Sequence, residues 1–251
     1  MDRVPEPLVL LHGFSGTRRA WDRVVHALDR ERYLPLALDL PGHGDAAAGE
    51  GPITFAGCVQ RVLRQAPERF VLCGYSLGGR IALNLALAAP ERVSAMALVS
   101  CSAGIEDPSE RAARRAADER LAEELQRISM DEFIARWRSQ PLFAGEPPHV
   151  GELARADMGH NSPQALAAVL RGVGAGAMEP LWGALARLRM PTLVLAGDRD
   201  ERYVELGRRM AGLLAAGELL VLPGGHALAL ENPLGLALAL EGLHTQTRAG
   251  G

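Results

Sequence analysis

A serine placed between a strand and a helix constrains this chain more than any other feature. The apolar run Phe70-Val71-Leu72-Cys73 leads into Gly74-Tyr75-Ser76-Leu77-Gly78-Gly79, and Ile81-Ala82-Leu83-Asn84-Leu85-Ala86 continues at helical spacing. Small residues around a serine at such a junction permit a sharp, strained turn that projects the hydroxyl into a cleft. The next backbone N–H is then free to face a developing oxyanion. A serine that opens a helix also serves as an N-cap, so the motif acquires meaning only from partners elsewhere in the chain.

Strand and helix patterns alternate on either side of this turn. Leu8 to Leu11 reads as a buried strand that stops at His12-Gly13, followed by helical spacing from Trp21 to Leu28. Leu34 to Leu38 reads as the next strand, ending in the loop Asp39-Leu40-Pro41-Gly42-His43-Gly44, with a helix over Val59 to Ala66. A further strand spans Val93 to Ser100. Continuous apolar strands separated by helices imply an α/β fold whose mostly parallel sheet is covered on both faces. The grammar breaks at Asp107, where a charged, helical stretch punctuated by Pro141, Pro147, Pro148 and Pro163 begins. Strand Thr192 to Ala196, a helix near Leu206 to Leu214, strand Leu219 to Leu222 and a helix from Pro233 then resume the alternation, with a frayed tail expected from Thr245. The expected organisation is a core of residues 1–106 and 178–251 interrupted by a helical cap over 107–177.

With 251 residues and 48% hydrophobic content, the chain is long enough to bury the core of one such domain. A net charge of −3 without a dense Lys/Arg block gives no support to nucleic-acid or membrane-surface binding. The three cysteines lack metal-type spacing, and Cys73 and Cys101 lie in apolar runs that suit buried, reduced thiols. No basic-then-apolar signal opens the chain and no apolar run approaches the roughly 20 residues that span a bilayer. The expectation is a cytoplasmic protein, a monomer or small homo-oligomer.

A serine hydroxyl becomes reactive when an imidazole takes its proton and an acid fixes that imidazole's tautomer. Gly197-Asp198-Arg199-Asp200 follows the Thr192 to Ala196 strand, so its carboxylates emerge at the same edge of the sheet as Ser76. His226 follows the last strand through Pro223-Gly224-Gly225 and has the strand–loop placement that His12, His43 and His160 lack. Asp198 and Asp200 both remain open as the acid on this reading. The loop His12-Gly13-Phe14-Ser15-Gly16 can turn a second N–H inward, so Phe14 and Leu77 are the expected oxyanion donors; alone, that loop is an ordinary glycine turn.

The order Ser, Asp, His is that of α/β-hydrolases. That fold's pattern puts the acid three positions after the glycine ending the strand, which selects Asp200. More specifically, the chain resembles the α/β-hydrolase-fold 2-succinyl-6-hydroxy-2,4-cyclohexadiene-1-carboxylate synthases of menaquinone biosynthesis over nearly its whole length. The resemblance is carried by Leu11-His12-Gly13-Phe14-Ser15-Gly16 with Trp21, Asp39 to Gly44 and Gly74 to Arg80. More selective are Gly104-Ile105 with Glu110 to Arg114, Trp137-Arg138-Ser139-Gln140-Pro141-Leu142-Phe143, and Gly197 to Tyr203.

It implies a lyase that needs no cofactor or metal and eliminates pyruvate from a small polycarboxylate substrate. Implied substrate contacts are Tyr75, Arg80, Arg111, Trp137, Phe143 and Arg155. The ordinary alternatives are a solvated charged face for Arg80, Arg111 and Arg114, and core packing for the aromatic residues. Glu106 stands where an uncharged polar residue would suit an anionic substrate better, and Asp157-Met158-Gly159-His160-Asn161 shifts the spacing that Arg155 would need. Because one fold hosts many chemistries, a serine carboxylesterase or C–C bond hydrolase, and a non-catalytic ligand sensor, are the competing readings.

Overall fold

The computed structural model describes residues 4–46 and 53–249. Six strands, β1 (Glu6–Leu11), β2 (Tyr33–Leu38), β3 (Phe70–Tyr75), β4 (Val93–Val99), β5 (Thr192–Gly197) and β6 (Gly217–Leu222), form one parallel sheet in the order β2-β1-β3-β4-β5-β6. Around it lie α1 (Asp22–Ala27), α2 (Phe55–Gln65), α3 (Leu77–Ala88), α8 (Glu201–Leu213), α9 (Leu228–Glu231) and α10 (Pro233–Ala249). Between β4 and β5 the chain inserts α4 (Pro108–Leu125), α5 (Met130–Arg138), α6 (Pro148–Met158) and α7 (Pro163–Val173).

The side-chain period of two sorts the sheet's apolar residues onto two faces. Val9, Leu11, Leu72, Met96, Leu98 and Val194 pack with α2, α3 and α8, whereas Leu8, Leu10, Val71, Cys73, Ala97 and Leu195 pack with α1 and α10. Both faces are therefore covered, which is why these strands read as unbroken apolar runs. All three cysteines are free and buried.

β1 pairs on one side with β2 and on the other with β3, so the chain reverses its direction of travel across the sheet between β1 and β3. Loops leaving the carboxyl ends of these strands diverge, opening a crevice at that point. His12 to Ser15 borders it on one side and Ser76 on the other.

The inserted helices start where side chains satisfy their first N–H groups. Asp107 accepts from Ser109 N and Glu110 N, Ser129 and Glu132 form a reciprocal capping box, and Ser162 accepts from Ala165 N. Pro108, Pro148 and Pro163 occupy first-turn positions, where a missing N–H costs nothing. The insertion has its own apolar cluster, including Leu125, Phe133, Ile134, Met158 and Leu170. Three helix boundaries differ from the sequence pattern, the first being that of α2, which begins at Phe55 rather than Val59. Helix α8 begins at Glu201, because its polar first turn hides the periodicity visible from Leu206, and α10 continues to Ala249, past the expected fraying point at Thr245. Met1 to Arg3, Gly250 and Gly251 lie outside the described residues.

The Ser76 turn depends on close backbone approach. Ser76 has φ 51° and ψ −106°, and a Cβ on Gly78 would lie 2.2 Å from the Leu11 carbonyl oxygen. Backbone cannot yield as a side-chain tip can. Gly78→Ala is expected to destabilise the fold by about 2 kcal/mol or more, read as a lower urea midpoint at unchanged slope; a midpoint within error of the parent would show that β1 and α3 can separate freely.

Candidate active site

Ser76 follows β3 and precedes α3, and its side chain makes no capping bond to that helix. Its backbone N–H instead donates to Val99 O at 2.9 Å, while its carbonyl accepts from Arg80 N at 3.1 Å. The turn is thus held by its main chain, and the hydroxyl is left for the cleft. His226, on the loop after β6, sets Nδ1 2.7 Å from Asp200 Oδ2, with the two residues 4% and 8% exposed. A carboxylate at Nδ1 fixes the proton there and turns Nε2 into the base.

Ser76 and His226 line the same cleft without a hydrogen bond joining them among the described residues. Such contacts in empty sites are often long and tighten when substrate binds. Asp198 has a different task. It accepts from Gly224 N at 2.9 Å and ties the β5 loop, which carries Asp200, to the β6 loop, which carries His226.

The cleft measures about 350 Å³ and lies between the sheet edge and the inserted helices. Phe14, Tyr75, Leu77, Arg80, Trp137 and Phe143 all line it, as the sequence expects. Backbone N–H groups of Phe14 and Leu77 make no hydrogen bond to the protein among the described residues. The Tyr75, Phe143 and Tyr203 rings surround His226, with centroids 5.4, 6.3 and 4.7 Å from its ring. Burial raises the phenol pKa of Tyr75 and of Tyr203, keeping both protonated.

The Arg80 guanidinium reaches the cleft with a single hydrogen bond among the described residues, Nη1 to Val173 O at 3.1 Å. Burial, the largest influence, lowers its pKa, the Tyr203 hydroxyl opposes this and the nearby Arg114 adds to it. A guanidinium nevertheless remains charged, so the site stores an unmet demand for an anion.

Two implied contacts fall elsewhere. Arg111, in the first turn of α4, folds back to donate to Ile105 O and Glu106 O at 2.9 and 3.2 Å and does not line the cleft. Arg155 is exposed in a surface hollow with Glu146 and Glu152, because α6 buries Val150, Ala154, Asp157 and Met158 and turns its neighbour outward.

Arg114 takes the place in the lining that the sequence reading leaves to a solvated face. It lies one turn beyond Arg111, donates to Asp118 Oδ1 at 2.8 Å, and shares the cleft with Ala117, Asp118 and Leu121. The i, i+3, i+4, i+7 spacing of these four was the available signal. Tyr203 was also missed as a separate contact, although it stands three residues after Asp200. Glu106 pairs with Arg209 at 2.6 Å on the exposed side and puts no negative charge in the cleft. Among the described residues, no group of three or more His, Cys, Asp or Glu side chains could hold a metal ion.

An alpha/beta hydrolase family model matches residues 8–239. The 2-succinyl-6-hydroxy-2,4-cyclohexadiene-1-carboxylate synthase of Salmonella schwarzengrund (strain CVM19633) is 34% identical over 241 residues, covering 93% of this chain and 91% of the relative. The chain belongs to this α/β-hydrolase-fold synthase family. A solved structure of MenH from S. aureus superposes with a TM-score of 0.90 at 29% identity, covering 97% of this chain and 94% of that one. The enol-lactonase from Burkholderia xenovorans LB400, at TM-score 0.79 and 22% identity, covers 96% of this chain and 92% of its own and shares the fold. No helix among the described residues is long and apolar enough to cross a membrane.

His12 and His43, the imidazoles of the loops after β1 and β2, are fully buried and already committed. His12 Nδ1 donates to Gly13 O at 2.8 Å and Nε2 accepts from Leu40 N at 3.0 Å; His43 Nε2 accepts from Ser15 N at 3.3 Å. Burial lowers the His12 pKa from 6.5 to about 4, against the raising effects of the Gly13 bond and Asp39. The unfolded chain therefore binds this proton more strongly. Stability from the neutral ring is complete above the unfolded value and is lost as pH falls toward about 4. The His12 ring is expected to keep neutral-imidazole NMR shifts down to about pH 5; titration near the ordinary value would contradict the two bonds assigned to it.

Proposed function

We propose that the protein is a carbon–oxygen lyase that eliminates pyruvate from 2-succinyl-5-enolpyruvyl-6-hydroxy-3-cyclohexene-1-carboxylate. The product is 2-succinyl-6-hydroxy-2,4-cyclohexadiene-1-carboxylate. The observation that carries this reading is a base-and-acid pair beside an arginine with donors left over after its bond to Val173 O: His226 on Asp200, with Arg80 in the same cleft. A neutral ester needs no such cation, whereas a polycarboxylate does. Family membership supports the same chemistry.

In this mechanism Asp200 holds the His226 Nδ1 proton and Nε2 accepts the proton of Ser76. The Ser76 alkoxide removes the ring proton α to the succinyl ketone. Charge moves onto the ketone oxygen, where the Phe14 and Leu77 N–H groups stabilise it; one such donor is worth about 100 to 1,000-fold in rate. Electrons then return through the ring double bond and break the carbon–oxygen bond to the enolpyruvyl group. That group leaves as pyruvate after taking a proton from the His226 side of the cycle. Arg80 and Arg114 bind carboxylates, while Tyr75, Trp137 and Phe143 enclose the ring. Serine acts as a relay for protons and forms no acyl-enzyme.

A coupled assay for released pyruvate tests the assignment. Wild-type protein is expected to turn over the enolpyruvyl substrate, and Ser76→Ala to lose at least about 1,000-fold in kcat. A stoichiometric p-nitrophenol burst followed by rapid ester turnover, with no pyruvate formed, would instead assign the site to an esterase. Ligand binding without turnover of either compound would assign it to a sensor.

Arg80→Ala is expected to raise KM for the anionic substrate about tenfold or more and to leave turnover of a neutral ester unchanged. An equal loss on both substrates would make Arg80 a structural residue.

A further inference from the structure

The loop that supplies the Phe14 N–H is held from the cap side as well as from the core. In the trans peptide between Gly13 and Phe14, the C=O and N–H point in opposite directions. Gly13 O accepts from the buried His12 Nδ1 at 2.8 Å and from Gly16 N at 3.2 Å, so the Phe14 N–H on the opposite side of that peptide points away from these bonds and has no protein partner among the described residues. Ser15 follows with φ 63°, a left-handed conformation that costs a non-glycine residue about 1 kcal/mol or more and must be held. It is 2% exposed.

The groups that hold it on the far side belong to the insertion. Asn161 Nδ2 donates to Ser15 O at 2.8 Å, and Asn161 Oδ1 accepts from Gly44 N at 2.9 Å, so one amide bridges the loops after β1 and β2. Four residues earlier, Asp157 Oδ2 accepts from Thr17 N at 2.9 Å and its Oδ1 accepts from the Thr17 hydroxyl. Both side chains are nearly closed off from solvent, at 8% and 9% exposure. Burial raises the Asp157 pKa, a cost that the Thr17 bonds offset. The Phe14 ring also points into the cap, with its centroid 5.0 Å from Trp137 and 6.2 Å from Phe133. Cap and oxyanion loop are fastened by side-chain packing and by three hydrogen bonds from two residues, and a fourth ties the cap to the loop after β2.

We infer that Asp157 and Asn161 are positioning residues: the cap, through them, sets the direction of the Phe14 N–H, so that seating of the cap and the quality of the oxyanion site are one property. The inference rests on Phe14 N–H serving as an oxyanion donor. Neither residue lines the cleft that holds Ser76 and Arg80; Asp157 borders an adjoining hollow that shares Phe14 and Trp137 with it, and the arginines that bind carboxylates lie on other elements. Loosening the clamp therefore weakens stabilisation of developing charge and leaves ground-state binding in place.

The test is Asn161→Ala, read in two ways. Pyruvate release is expected to lose about tenfold or more in kcat with KM within about twofold, since misplacing a catalytic group by about 1 Å costs up to about 100-fold. Sulfonylation of Ser76 by phenylmethanesulfonyl fluoride, which forms the serine–sulfur bond and expels fluoride, places a sulfonyl oxygen where the oxyanion would lie. Its second-order rate is expected to fall by a similar factor, and this arm holds whether or not the natural reaction is the lyase reaction. If wild type released no pyruvate, the lyase reading would fail and sulfonylation would still decide the clamp.

Rates are taken per active site titrated, so that partial unfolding does not imitate the effect. An Asn161→Ala protein that melts lower yet is sulfonylated at the wild-type rate would overturn the inference. Asn161→Asp keeps the acceptor for Gly44 N and loses the donor to Ser15 O; it is expected to match Asn161→Ala, and wild-type rates would overturn the inference. Should either fail to fold, Thr17→Val removes the hydroxyl bond to Asp157 while leaving the Asp157 and Asn161 side chains in place. It also removes the bond that the Thr17 hydroxyl oxygen accepts from Arg19 N at 3.2 Å, and it is expected to slow both reactions by about threefold, with Thr17→Ser restoring them; an unchanged Thr17→Val would be the contrary result.

Discussion

The strained turn at Ser76 is the constraint around which the rest of the molecule is arranged. A non-glycine residue at φ 51° is unfavourable by about 1 to 3 kcal/mol and persists only if its surroundings leave no alternative. Here the Ser76 N–H is bonded to β4, its carbonyl opens α3, and Gly78 brings that helix against the end of β1 so closely that no methyl group fits. The same packing that enforces the strain frees the hydroxyl and the Leu77 N–H together. It also brings Ser76 beside the Phe14 loop, because β1 and β3 are neighbours at the point where the sheet changes its order.

Hydrogen-bond bookkeeping separates the roles of chemically identical side chains. Each of His12, His43 and His226 lies close to the serine loop. In the first two, Nε2 accepts a backbone N–H and Nδ1 lies against a carbonyl, so neither ring has a lone pair to offer. His226 has a carboxylate on Nδ1 and no other hydrogen bond among the described residues, which leaves Nε2 as a base facing the cleft. A similar division applies to the aspartates. Asp198 accepts a backbone N–H and braces two loops, Asp200 orients an imidazole, and Asp157 holds Thr17.

The insertion supplies most of the cleft's lining beyond Ser76, His226 and Arg80. Its helix α4 contributes Arg114 and its counter-ion Asp118, whose other oxygen accepts from Gly176 N at 3.1 Å. Its helix α5 and the turn that follows contribute Trp137 and Phe143. The negative charge of Glu106 is directed away through Arg209, which itself stacks on Trp182 at 3.9 Å. The result is a wall with aromatic surface and excess positive charge, suited to a flat ring carrying several carboxylates.

Periodicity and glycine placement were enough to read the parallel sheet and the sharp strand-to-helix turn at Ser76. These are local properties: an apolar strand, a capping residue or a close-approach glycine leaves its mark within a few neighbouring positions. The Asp200–His226 bond, the presence of Arg114 rather than Arg111 in the cleft lining and the outward placement of Arg155 are visible only in the tertiary structure. Each is a matter of which way a side chain turns once two distant segments meet. The clamp from Asp157 and Asn161 to Thr17, Ser15 and Gly44 belongs to the same class, since its partners are separated by more than a hundred residues. Sequence spacing fixes which face of a helix a residue occupies, and only the packing of that helix decides what the face meets.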